Sequence, residues 1–359
     1  MTLINKIHTR LAEYNSYYYG PFEAIEFRFE QTFFVSKLLS LIEISDLCLL
    51  LKTRLFDIEH VINQPQYETF QIPKKRGGSR LIQTPESQLM FIQSRLNFYL
   101  QNYYHLIRPE CVHGFVINPN KNEKKCNIVE NAKIHVQQKY VLNLDLKDFF
   151  PSIQAYRVKE LFLSDYFRYT EHIATALTLL VTYDGKLPIG APTSPVISNF
   201  ICLELDEALS VYCKKNEIRY SRYADDLTFS SNHFISKTII TDLEYIINSF
   251  QFKLNPKKTR IKTKNRKQTV TGLVVNEKVN VDRKIIKMVR AMLHDTLQNG
   301  ISKAAKKHFK SINEIRNTSE AYFLNRLEGY INFIAQVRGN DDSIVIKFRY
   351  YYKMIFQLA

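Results

Sequence analysis

The sequence has 359 residues, 45% of them hydrophobic, and a formal net charge of +15 from 50 Lys and Arg against 35 Asp and Glu. That length and apolar content exclude an unfolded chain and allow about two or three domains; the charge points to a long polyanion, nucleic acid above all, with 22 Tyr and 24 Phe available to stack on bases or fill a core. Five cysteines without a Cys-x-x-Cys pair exclude a disulfide framework and a zinc ribbon and fit a reducing cytoplasm, and no membrane segment is expected because the most apolar stretch, 38–51, is broken by Glu43 and Asp46.

Residues 1–65 are expected to form a helical N-terminal cap, because apolar side chains recur densely from Leu38 to Leu50 without strand-breaking turns. Residues 67–72 and 80–83 then flank Pro73-Lys74-Lys75-Arg76-Gly77-Gly78-Ser79, a hairpin whose basic tip can embrace phosphates or stand as a solvated turn. It lacks the Gly-Lys-Ser/Thr ending of a Walker loop, which removes support for an ATPase or a kinase. A helix is expected over 85–106, followed by an Asn- and Lys-rich loop over 118–127.

Residues 139–150 read as a strand with Val141, Asn143 and Asp145 on one face and Leu142, Leu144 and Leu146 on the other. Residues 148–153 are expected to end it and start a helix running through Val158, Leu161 and Phe162. The turn Leu187-Pro188-Ile189-Gly190-Ala191-Pro192-Thr193-Ser194-Pro195 is stiffened by its prolines and opens another helix. Tyr223-Ala224-Asp225-Asp226 sits between two alternating runs, a strand, turn, strand pattern in which Asp is a residue that tolerates left-handed turn conformations. Lys257 and Lys258 precede a further strand, 260–264, and helices are expected from Asp282 onward. The final Lys347-Phe348-Arg349-Tyr350-Tyr351-Tyr352-Lys353 is either a basic aromatic surface for nucleic acid or an amphipathic helix packing its tyrosines.

An aromatic-x-Asp-Asp string alone is weak evidence, since this composition supplies it by chance. It gains meaning from Asp145, a third carboxylate on a separate strand, because two-metal phosphoryl transfer draws anionic ligands from more than one segment. Asp145, Asp225 and Asp226 are therefore the candidate catalytic and metal-binding residues, with the carbonyl of Leu146 as a further ligand and two Mg²⁺ ions favoured by the hard oxygens. Lys74, Lys75 and Arg80 are placed to grip a triphosphate, and Lys258 to neutralise or protonate the departing pyrophosphate.

These motifs, in this order from about residue 67 to 337, resemble a reverse transcriptase. Asn131-Ala132-Lys133-Ile134-His135 and Val270-Thr271-Gly272 are similar to short elements of bacterial retron enzymes. The resemblance implies an α+β right-hand fold with fingers (66–110), a palm (111–275) built on a split βαβ antiparallel sheet and carrying a retron-type insertion around 118–138, and a helical thumb (276–359). It implies copying of a structured non-coding RNA into DNA branched through a 2′-5′ linkage, from dNTPs, with an effector protein as partner in anti-phage defence. It makes Phe150 the steric gate against ribonucleotides, and Asn131, His135, Val270, Thr271 and Gly272 RNA-binding candidates, although His135 reads equally as a structural histidine. The family usually has Gln where this chain has Ile189, so an amide contact to the nucleotide is lost there. The alternatives are another bacterial reverse transcriptase, of group II intron or diversity-generating type, and a non-catalytic RNA-binding scaffold.

Overall fold

The computed structural model describes residues 26–74, 77–117, 125–308 and 320–357. The chain gathers into two compact units: Met1–Asn127 with Asn143–Phe229 and Ile235–Arg260, and Ile128–Leu142 with Ser230–Phe234 and Ile261–Ala359. Both contain helices, and β-strands give the chain a mixed helix and sheet content.

In the first unit, helices Glu26–Leu39, Ile44–Leu51 and Leu55–Asn63 precede an antiparallel hairpin, β1 (Tyr67–Pro73) and β2 (Ser79–Pro85), in which Tyr67 faces Pro85 and Ile72 faces Arg80. Its base is fixed where Tyr67 stacks on Tyr183 with ring centroids 4.1 Å apart and accepts a hydrogen bond from Gln93 Nε2 at 2.9 Å. Toward the tip both strands are exposed, including Ile72 and Leu81, so the hairpin projects from a buried foot. The helix Ser87–Ile107 buries Leu89, Ile92, Leu96 and Leu100 at helical spacing. Its far end brings Tyr103 and Tyr104 against Phe200, with centroids 5.5 and 5.1 Å away, and Phe167 closes the group.

The four-stranded sheet has the order β4 (Arg219–Tyr223), β5 (Asp226–Ser231), β3 (Tyr140–Asp145), β6 (Arg260–Thr263). The alternation along β3 does not translate into one wet face, because Val141, Leu142, Leu144 and Asp145 are all buried while Asn143 donates to Thr228 Oγ1 at 3.3 Å. The expected single helix after it is two, Phe149–Ser152 and Ala155–Leu163, separated at Ile153 and Gln154. The short first piece is entered through Asp148 in the left-handed conformation, φ 47°. The helix expected after the proline-rich turn is likewise interrupted at Cys202, giving Ser194–Ile201 and Leu203–Lys215.

The second unit is built on helices Arg283–Asn299, Ile301–His308, Glu320–Arg338 and Ser343–Gln357. Ile286, Val289, Leu293 and Thr296 form the buried stripe of the first of these, and Phe323, Leu327, Ile331 and Ile334 that of the third. The hairpin β7 (Thr269–Val270) and β8 (Leu273–Val274) and the helix Ile128–Lys133 add Val270, Leu273, Val129 and Ala132 to this core. Among the described residues no helix is long and apolar enough to cross a membrane, and the five cysteines are free thiols.

Truncating Phe200, 2% exposed within the aromatic group, is expected to cost about 3–5 kcal/mol, whereas Val211→Ala on an exposed helix face changes stability by no more than ~0.5 kcal/mol. The midpoints of urea denaturation of Phe200→Ala and Val211→Ala check this.

Candidate active site

β4 ends at Tyr223 and β5 begins at Asp226, leaving Ala224 and Asp225 as the connection. The left-handed residue of this turn is Ala224, with φ 58°, rather than one of the aspartates that tolerate that conformation. An alanine gains no local hydrogen bond in that conformation, so the surroundings must impose it. They do so in two ways. Arg222 Nη1 donates to the Ala224 carbonyl at 3.3 Å, and Gly114 lies so close beneath the turn that a Cβ on it would stand 2.4 Å from the Ala224 nitrogen.

Arg222 is fully buried and forms a two-pronged pair with the equally buried Asp206, Nε to Oδ1 at 2.8 Å and Nη2 to Oδ2 at 2.6 Å. Burial disfavours the guanidinium charge, but the Asp206 carboxylate outweighs it and holds Arg222 well above its ordinary pKa. Tyr220, protonated because burial and the same carboxylate push its phenol up, donates to Asp206 Oδ1 at 2.8 Å. Asn199 accepts from Arg222 Nη1 at 2.9 Å and donates to the Gly114 carbonyl at 3.1 Å. The segment containing Gly114 is tied to β4 by Arg222 N–H to Cys111 O at 2.8 Å and His113 N–H to Arg222 O at 3.0 Å. Sequence reasoning missed Arg222, Asp206, Tyr220, Asn199 and Gly114. The one available signal was an arginine within a strand whose neighbours alternate toward a core.

The three carboxylates singled out from the sequence belong to one electrostatic group. The Leu146 N–H donates to the Asp225 carbonyl at 3.0 Å, which joins the end of β3 to the turn. Burial, then the Asp145 charge, raises the Asp225 carboxyl above its usual range, opposed by Lys258 and Arg80. Asp226 keeps its outer side in solvent, yet crowding on its inner side, then Asp225, then Asp145, pushes it up to about 6. Asp145 is buried and bonded to Lys258 Nζ at 2.5 Å, with the Asn255 N–H on its carbonyl at 2.8 Å and the Asn255 amide 3.5 Å from Oδ2. Among the described residues no three His, Cys, Asp or Glu side chains converge closely enough to form a metal cage as they stand. The donor set nevertheless suits a divalent cation: hard oxygens, of which Asp225 and Asp226 are raised by burial first and by neighbouring carboxylate charge second.

Around this group lie the other predicted site residues. Phe150 is half-buried on the short helix Phe149–Ser152, between Phe149 and Phe115, with ring centroids 5.4 and 5.8 Å away. Arg80 and Lys74 are exposed on the hairpin, and Lys75 lies outside the described residues. Lys258 is half-exposed, and its ammonium is paired with Asp145. Ile189 acts through its backbone, its carbonyl accepting from the Gln83 N–H at 2.7 Å. Gly190 follows with φ 124°, and a side chain there would stand 3.0 Å from both the Gln83 carbonyl and Ile82 Cγ2.

The RNA-binding assignments need correction. Asn131, His135 and Val270 are at most 1% exposed and so have no surface to offer a nucleic acid. His135 Nδ1 lies 2.6 Å from Ser230 Oγ, which makes it a structural histidine. Thr271 and Gly272 are the left-handed turn between β7 and β8, φ 46° and 84°, with Thr271 Oγ1 donating to the Ile128 carbonyl at 3.4 Å. Near the C-terminus the packing helix is what is seen: Phe348 is core and Tyr351 and Tyr352 pack against it, while Tyr350 is 61% exposed.

The family model for reverse transcriptase (RNA-dependent DNA polymerase) matches residues 72–275. Retron Mx65 reverse transcriptase of Myxococcus xanthus is 32% identical over 271 residues, 68% of this chain and 60% of that protein. Retron Ec86 reverse transcriptase of Escherichia coli is 39% identical over 174 residues, 48% and 54% of the two chains, and Retron Ec73 reverse transcriptase of the same species 34% over 245 residues, 63% and 73%. The match thus spans little more than half the length of the Mx65 and Ec86 proteins. A solved telomerase from Candida albicans in complex with a fragment of telomeric RNA is similar at 10% identity and a TM-score of 0.42, over 82% of this chain and 64% of that chain, too distant a likeness to bear on the fold.

Arg222→Ala strands the Asp206 carboxylate in the interior and is expected to cost about 3–5 kcal/mol. Gly114→Ala forces the turn at Ala224 and Asp225 aside at a cost of about 1–3 kcal/mol. Chemical denaturation of the two variants measures both.

Proposed function

The chain belongs to the reverse transcriptase family, among the retron enzymes, and from that premise we propose that it is an RNA-directed DNA polymerase working by two-metal phosphoryl transfer. The observation that carries the reading is the junction of two segments at the carboxylates: the N–H of Leu146, next to Asp145, bonds to the Asp225 carbonyl at 3.0 Å, and the Asp145 charge adds to burial in raising the Asp225 and Asp226 carboxyls. Carboxylates arranged this way repel phosphate when bare, which suits a metal-dependent enzyme and disfavours a pure RNA-binding scaffold.

Asp145, Asp225, Asp226 and the Leu146 carbonyl would hold two divalent ions, Mg²⁺ by the hardness of the oxygens, which would supply activation of the primer 3′ hydroxyl and neutralisation of the triphosphate. Arg80 and Lys74, with Lys75, would grip the triphosphate from the projecting hairpin. Lys258 would deliver its Nζ proton to the leaving pyrophosphate, which requires it to turn away from Asp145 Oδ1. Phe150 would exclude the 2′ hydroxyl of a ribonucleotide by occupying its space.

Under the same reading, the hairpin belongs to the fingers, the sheet with its three carboxylates to a split βαβ palm, and the C-terminal helices to the thumb. The template is a structured non-coding RNA primed from a 2′ hydroxyl, the product is RNA-branched single-stranded DNA, and the complex acts in the cytoplasm with an effector protein in anti-phage defence.

Purified protein carrying its co-expressed RNA should extend DNA when given Mg²⁺ and dNTPs, and the double variant Asp225→Asn, Asp226→Asn should make none. Equal synthesis by the variant would sink the assignment. Phe150→Ala should raise rNTP relative to dNTP incorporation, read by single-nucleotide extension.

A further inference from the structure

Phe115 is the residue beside the site whose conformation the proposed chemistry leaves unexplained. It is a bulky residue at φ 59°, where side chains of its size are rarely found without strong constraint. Two buried amides grip its carbonyl: Gln101 Nε2 at 3.2 Å and Asn199 Nδ2 at 3.3 Å. Asn199 is the residue that also accepts from Arg222, so the Phe115 backbone is one hydrogen bond removed from the ion pair under the catalytic turn. Its neighbour Gly114 is pinned against Ala224. The backbone is thus over-determined, and what this fixes is the direction of the Phe115 ring.

That ring meets Phe150 at 5.8 Å between centroids, with the planes inclined by 35°. Phe150 needs the support. It rides on a helix of four residues entered through a left-handed Asp148, and a helix so short does not hold its own shape. Phe149, the other ring against it, belongs to the same segment and is itself buried against Phe252. Among the described residues, Phe115 supplies the aromatic contact to Phe150 from a separate segment. Both rings are half-buried, so the pair is not sealed inside the core.

A gate that rejects a single hydroxyl must be held to within about 0.5 Å, because a ring free to tilt makes room for the group it should exclude. We propose that Phe115 is a positioning residue for sugar selection: its strained backbone sets its ring as a backstop that keeps Phe150 in the space of the 2′ hydroxyl. This rests on Phe150 being the gate. One dipeptide, Gly114-Phe115, then sets both the turn carrying Asp225 and Asp226 and the ring that chooses the sugar.

The test is single-nucleotide extension by the full chain with its co-expressed RNA, using dCTP against CTP for wild type, Phe150→Ala, Phe115→Ala and Phe115→Tyr. Phe115→Ala should raise the CTP to dCTP ratio of kcat/KM by about three- to tenfold, the range set by losing one aromatic pair, with the change carried by a lower KM for CTP. Phe115→Tyr, which keeps the ring, should restore discrimination. Phe115→Leu, nearer in volume, stands in should the alanine variant not fold, and is expected to shift the ratio in the same direction.

If Phe150→Ala relaxes discrimination while Phe115→Ala and Phe115→Leu leave it unchanged, the positioning role is overturned and the gate stands. If Phe150→Ala itself has no effect on the ratio, gate and backstop fall together. Loss of extension with both nucleotides alike, the ratio unmoved, would make Phe115 a template or structural contact and likewise overturn the proposal.

Discussion

A buried ion pair carries the turn that presents Asp225 and Asp226. Asp206 and Arg222 have no exposed surface, and two charges so placed are tolerable only if every prong finds a partner. Here the guanidinium spends its hydrogens on Asp206, Asn199 and the Ala224 carbonyl, while Tyr220 completes the carboxylate. A hydrophobic pair could fill the same volume, but it could not hold a carbonyl in place or keep Ala224 left-handed. The pair therefore acts on geometry more than on stability, and Asp225 and Asp226 stand where it puts them.

The carboxylates above it illustrate the opposite electrostatic condition. Asp206 is neutralised by its surroundings, whereas Asp225 and Asp226 are raised by burial first and by neighbouring carboxylate charge second, with Lys258, bonded to Asp145, as the nearby cation. Arg222 in β4 satisfies one carboxylate completely, while the turn that follows it presents two whose protons are held more tightly than usual. Such frustration costs stability and is characteristic of sites that await charge from outside.

Much of this was legible in the sequence because it depends on local pattern. The hairpin at residues 67–85 announced itself through Pro, Gly and alternating side chains, and the two runs around residues 223–226 through alternation alone. Asp145 was found because a strand periodicity placed it at a strand end. What stayed hidden depends on tertiary proximity. Asp206 looks like any helical acid, Gly114 is required only because Ala224 passes over it, and the breaks at Ile153–Gln154 and Cys202 carry no glycine or proline at the break. Asn131 and His135 became RNA-binding candidates through the resemblance of their motif to a retron element, with His135 equally readable as structural, and burial at 1% and 0% is not written in a five-residue string.

The junction between residues 111–114 and β4 has a consequence for how this protein can vary. Two backbone hydrogen bonds, Arg222 to Cys111 and His113 to Arg222, set the two segments in a parallel register with Val112 opposite Arg222. A slip of one residue would reverse which side chains face inward, turning the guanidinium away from Asp206 and bringing a Cβ under the turn. Relatives of this protein can therefore exchange side chains around the junction, but an insertion or deletion on either strand breaks the frame. Length, rather than identity, is what selection must hold constant there.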